Sequence, residues 1–196
     1  MTPPYEQVQI ESRAEWRRWL AKHRARTPGI WLVTWKQPSG QPHVTYEDVV
    51  QEALAFGWID SRPRKLDEQR SQLLVTPRKP ASKWSRANKQ RIGHLKASGR
   101  MAPAGAATVA AAEANGAWTA LDDVENLVEP DDLSAALAGS GEARKHWDAF
   151  PRSAKRGILE WIGSARKPET RAKRVTETAR LAGENMRAKQ WRPGGG

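Results

Sequence analysis

Between Phe56 and Leu66 the single acid is Asp60, set among Trp58, Arg62, Arg64 and Lys65. A lone carboxylate among cations and indoles has two readings. It can act as a general base, or it can pair with Arg62, Arg64 or Arg78 and orient that cation. Acid–base catalysis wants a second titratable partner, and none stands at a suggestive spacing, so no catalytic residue is assigned beyond Asp60 as a candidate. About twenty residues on come Arg78, Lys79, Lys83, Trp84, Ser85 and Asn88, on the loop and first turn of a helix that follows Pro77. A helix start presents free N–H groups and the positive end of its dipole, which suits a phosphate or carboxylate. Arg78 has the fork to grip such a group bidentately, and Trp58 and Trp84 have the faces to stack a ring. The expected site is therefore Trp58, Asp60, Arg62, Arg78, Lys79, Lys83, Trp84, Ser85 and Asn88, and the expected ligand an anionic or aromatic small molecule. Arg86, Lys89 and Arg91 continue the run of cations.

Other chemistries lack their residues. The chain has no cysteine, so it has neither a disulfide framework nor a thiolate. His23, His43, His94 and His146 stand singly, with no metal-ligand spacing. No phosphate-cradling glycine loop is present, and Gly99, Gly105 and Gly116 read as helix punctuation. Neither a metal nor a cofactor is expected.

The charge is local. The formal net charge is +11, but residues 61–100 alone carry +10 and residues 166–196 carry +6, while residues 101–165 carry −5. Such a field favours anionic partners. It also supports an alternative: nucleic-acid binding through the basic blocks 61–100 and 166–192. A third reading is an enzyme using Asp60 as base. Ten tryptophans against two tyrosines and two phenylalanines exceed what a core of this size needs, so a minority are expected to line a groove. No stretch is long and apolar enough to span a bilayer, and residues 1–11 have neither a cationic start nor an apolar run, which reads as soluble and cytoplasmic.

The elements that must position these residues follow from pattern. Residues 1–10 read as an irregular arm. Ser12 and Glu15 have capping-box spacing before a helix over 13–25, with Trp16, Trp19 and Leu20 inward and Arg17, Arg18 and Lys22 facing water. Residues 30–36 read as a buried strand, with a further short strand at 43–45. Thr45 caps a helix that Gly57 ends. Residues 58–66 and 70–76 read as a hairpin, whose first arm Pro63 marks as an edge strand or a bulge. Helices follow at about 82–98 and 104–115, the second nearly all alanine and glycine. Residues 122–132 form an acidic connector. Beyond it come a short helix at Leu133–Leu137, one around Trp147, one capped by Ser153 and one from Pro168. The expected fold class is α+β, a small antiparallel sheet packed with helices and followed by a helical C-terminal region. The expected divisions are 1–120, 121–185 and a disordered tail at 186–196.

These residues carry a resemblance. Phe56-Gly57-Trp58-Ile59-Asp60-Ser61, then Thr76-Pro77-Arg78-Lys79-Pro80 with Ser82, Trp84-Ser85 and Asn88, resemble the YdeI/OmpD-associated, bacteriocin-protection family. So do Gly99-Arg100-Met101 with Pro103-Ala104-Gly105, and Ala165-Arg166-Lys167-Pro168-Glu169-Thr170-Arg171. The resemblance runs over roughly residues 12–183. It implies a role in protection against antimicrobials or in envelope stress. With the residues above, it suggests a non-enzymatic binding protein that sequesters its ligand.

Overall fold

The structure is a computed structural model in which residues 5–25 and 28–189 are described. The chain divides into two compact units, Met1–Ala120 and Leu121–Gly196.

The first unit is a four-stranded sheet with helices. Its strands are β1 (Gln7–Gln9), β2 (Ile30–Trp35), β3 (Trp58–Lys65) and β4 (Arg70–Pro77), in the order β1-β2-β4-β3. Its helices are α1 (Arg13–His23), α2 (Tyr46–Ala55), α3 (Arg86–Ala97) and α4 (Pro103–Ala114). The α+β class is as expected, with two differences in the strands. Residues 7–9 are not part of an irregular arm; they pair in parallel with 31–33, which makes the sheet mixed. A parallel pair needs a crossover, and α1 supplies it. The segment 43–45 is not a strand and leads directly into α2.

Local chemistry sets the helix ends. Ser12 Oγ accepts from Glu15 N at 3.1 Å, while the Glu15 carboxylate accepts from Glu11 N at 2.8 Å, one residue earlier than in the usual reciprocal box. Thr45 Oγ1 accepts from Asp48 N at 3.1 Å. Gly57 ends α2 with φ +78°, where a side chain would meet Thr108. Gly105 is a close-approach residue rather than punctuation: a Cβ there would lie 2.2 Å from the carbonyl oxygen of Ala55. The alanine-rich α4 thus packs its backbone onto the end of α2.

The core of this unit holds Trp16, Leu20, Ile30, Leu32, Leu54, Trp58, Val75, Trp84, Ile92 and Leu95. At its edge Glu52 is fully buried. Its carboxylate takes Arg13 Nε at 2.7 Å, Arg17 Nη1 at 2.7 Å and the Arg100 guanidinium. Arg17, expected to face water, is therefore spent tying α1 to α2.

The second unit contains α5 (Asp122–Asn126), α6 (Asp131–Ala138), α7 (Gly141–Ala149), α8 (Arg152–Gly163) and α9 (Pro168–Gly183). The acidic stretch 122–132 is thus partly helical. Pro151, not Ser153, stands at the N-cap of α8. Leu133, Leu137, Trp147, Ile158, Ile162 and Leu181 form this unit's core. Ala188 joins it at 2% exposure, so chain order runs past 186, and residues 190–196 of the expected tail lie outside the described residues. No described helix is long and apolar enough to cross a membrane.

Candidate functional site

β3 is an edge strand with one extra residue. Asp60 pairs with Val75 and Pro63 with Leu73, so Ser61 and Arg62, two residues against the one of Leu74, form a bulge. The bulge resets the alternation. Strict period two would put Trp58, Asp60, Arg62 and Arg64 on one face. Instead Pro63 and Lys65 follow Asp60 on the face shared with Ile30, Leu32 and Thr34, while Arg64 crosses to the other, over the Trp31 ring at 4.8 Å. Pro63 marks both the edge and the bulge, because it has no N–H to give to a ladder.

Asp60 looks toward the start of α2. Its Oδ2 accepts from the Tyr46 hydroxyl at 2.6 Å. Tyr46 as a whole is 56% exposed. Desolvation first, and then the hydrogen bond and charge of Asp60, push the phenol up to about 12. At neutral pH it is therefore a donor and not a base.

Arg78 begins the loop after β4, where its N–H donates to Gly57 O at 2.9 Å. Its side chain is only 9% exposed. The guanidinium lies over Trp84, 3.7 Å from Cζ to the ring centroid, and Nη2 donates to Lys83 O at 2.6 Å and Ser82 O at 3.3 Å. Nε is buried with no hydrogen-bond partner among the described residues. No described carboxylate lies within ion-pair distance of it. Burial pushes the group down to about 10, opposed by the charge of Asp60. It remains a cation at neutral pH.

The remaining expected residues fall into three groups. Trp58 and Trp84 are each 1% exposed and belong to the core. The expectation that they offer their faces to a ligand is corrected: Trp58 meets Trp19 edge-on at 5.8 Å and Trp84 packs on Trp118 at 5.0 Å. Large indole area drives them inward. Ser85 caps α3 by accepting from Asn88 N at 3.3 Å, so it is a structural donor site already in use. Asn88 Oδ1 accepts from Arg91 Nη1 at 2.9 Å. Lys79, Lys83 and Arg62 are exposed cations. The charge of Asp60 thus acts on both Arg78 and Arg91, Asn88 holds Arg91, and Arg78 rests on Trp84.

Sequence reasoning missed Tyr46 and Glu47. Arg91 is gripped by Glu47 through Nε at 3.0 Å and Nη2 at 2.7 Å, and the hydrogen bonds from Arg91 hold the Glu47 carboxyl below the usual range. With Gln51, Gln90 and His94 they line a polar groove of about 290 Å³ between α2 and α3. The one signal of this in the sequence is the pair Glu47 and Asp48 in the first turn of α2, where acids equally suit the helix dipole.

In the second basic block many cations are engaged internally. Arg171 binds Asp132 through two bonds of 2.7 and 2.8 Å, Arg180 pairs with Glu184 at 2.6 Å, and Arg174 serves Trp161 O and Ser164. Among the described residues no group of three or more histidine, aspartate or glutamate side chains is placed to hold a metal.

Two family models match the chain. Residues 126–185 match the family described as bacteriocin-protection, YdeI or OmpD-associated, which takes in the Ala165–Arg171 segment. Residues 8–108, which carry Tyr46, Asp60, Arg78, Asn88 and Arg91, match a model described as a domain of unknown function, DUF8412. No curated protein and no solved structure matches the chain. By the model that spans more than half its length the chain belongs to the DUF8412 family, and its C-terminal unit carries the bacteriocin-protection match.

Proposed function

We propose that the protein is a non-enzymatic binding protein with a protective role, whose N-terminal unit takes a small molecule with an anionic group on an aromatic or apolar body. One observation carries this reading. Arg78 is a buried cation with an unpartnered Nε and no carboxylate in contact. Burying a charge without a direct counterion is costly, and an arriving anion would relieve that cost. Its surroundings suit an anion: the start of α3, and the exposed Lys79 and Lys83 on the same loop. The protective role is supported by the match of residues 126–185. The nearby Asp60 is engaged by Tyr46, which favours an orienting role over that of a free base.

The test is thermal stabilisation of the full chain by aromatic carboxylates and aryl phosphates at low and at 0.5 M salt. A ligand at about a hundred times its dissociation constant stabilises by about 2.7 kcal/mol. A saturable shift that survives salt, and that disappears in Arg78→Met, is the expected result. Stabilisation only by oligonucleotides and lost in salt would replace this reading with nucleic-acid binding. No stabilisation by any anion would end it.

A further inference from the structure

A second pocket lies on the helix-covered face of the sheet, at the open end between the strands and the start of α2. Leu32, Leu73, Pro63, Val44 and Val49 form its walls, and its volume is about 170 Å³. It exists because of the bulge in β3, which brings Pro63 onto this face two ladder steps from Asp60. An apolar cavity of about 150 Å³ suffices to hold benzene. The volume and walls therefore suit one six-membered ring.

The polar groups on its rim are not equivalent. Thr34 Oγ1 and Ser71 Oγ lie 3.4 Å apart, one donating to the other, and the Tyr46 hydroxyl, also on the lining, is given to Asp60. His43 also lines the pocket, and its Nδ1 lies 2.7 Å from Trp35 O. A carbonyl oxygen only accepts, so Nδ1 carries the proton. In the neutral ring Nε2 is then the acceptor, and it has no partner among the described residues. The pocket thus offers largely apolar walls with His43 Nε2 as an acceptor for a ligand that brings one donor. We infer that it binds a phenol, with the ring against Leu32, Val49 and Leu73 and the hydroxyl donating to His43 Nε2. This does not depend on Arg78 holding an anion.

The experiment titrates the ¹⁵N-labelled full chain with phenol, anisole and cyclohexanol at pH 8. Anisole has the ring without the donor; cyclohexanol has the donor without the flat ring. Phenol binds saturably, shifting resonances of residues 32–34, 43–49 and 71–73, and anisole binds about tenfold more weakly, the loss expected for one hydrogen bond. His43→Phe, a change at an exposed residue, brings phenol down to the level of anisole. Ser71→Phe fills the pocket and removes both, and its thermal melt shows that the fold is retained. Equal binding of phenol and anisole, preference for cyclohexanol, indifference to His43→Phe, or no binding of any ring overturns the inference.

Discussion

The guanidinium of Arg78 sits 3.7 Å above the centre of the Trp84 ring, and both residues are nearly sealed from solvent. Two residues expected to reach outward together instead hold each other inside. The loop from 78 to 85 is built around this stack, because Nη2 also ties down the carbonyls of Ser82 and Lys83. The stack turns the loop so that α3 begins beside Asp60 and α2.

Replacing Arg78 separates structure from function. Arg78→Met removes an uncompensated buried charge, which offsets the lost stack and the lost bonds to Ser82 O and Lys83 O, so unfolding in urea changes by no more than about 1 kcal/mol. Arg78→Lys keeps the charge but loses the planar stack and the fork, and costs about 2 kcal/mol. If lysine proves as stable as arginine, the stack is not what orders the loop.

Glu52 governs acid stability. Burial alone pushes its carboxyl up, but hydrogen bonds from Arg100, Arg13 and Arg17 outweigh that and hold it below its usual 4.5. A depressed folded-state value stabilises above the unfolded value and is lost as pH falls through the folded one. The melting temperature of the N-terminal unit should therefore fall steeply below about pH 4.5. Glu52→Gln should cost about 3–5 kcal/mol at pH 7, since it leaves three guanidiniums around a neutral group, and should flatten that acid limb.

Tyr46 can be followed directly, because the chain has only two tyrosines. In Tyr5→Phe, tyrosinate absorbance should rise in one late phase at about 12. Asp60→Asn should bring that phase down. The linkage runs opposite to that of Glu52: a raised folded value stabilises below the unfolded value of 10.0 and is lost as pH climbs through about 12. A phase that ignores Asp60→Asn would contradict the 2.6 Å bond.

In the C-terminal unit, Glu129 accepts from Trp147 Nε1 at 2.7 Å and from Arg144 at 2.7 and 2.9 Å, which holds its carboxyl low. Trp147 is fully buried. Glu129→Ala should cost about 2–3 kcal/mol, since it strands a buried indole N–H and leaves Arg144 only its pairing with Asp148. Tryptophan fluorescence during urea unfolding, compared with Glu142→Ala at an exposed position, measures it.

Several elements were legible because their signals are local. Ser12 and Thr45 cap the helices they precede, Gly57 ends α2, and the hairpin and α9 begin where side-chain pattern and proline put them. Capping, turn chemistry and periodicity act over a few residues, so one sequence suffices to read them. The strand at 7–9 was not legible, because three residues acquire strand character only when a partner, 31–33, lies beside them.

The sequence by itself determined that a cationic segment stands between Asp60 and Asn88 and that an α+β unit precedes a helical one. It did not determine which cations are free. Arg17, Arg91 and Arg171 look alike as residues in helices, yet each is claimed by a carboxylate thirty or more positions away, Glu52, Glu47 and Asp132. Only the tertiary structure decided that Trp58 and Trp84 are core, that Tyr46 meets Asp60, and that the bulge at Ser61 and Arg62 opens a pocket. The reason is physical: burial and ion pairing depend on long-range approach, and a one-residue bulge exchanges the faces of a strand without altering its composition.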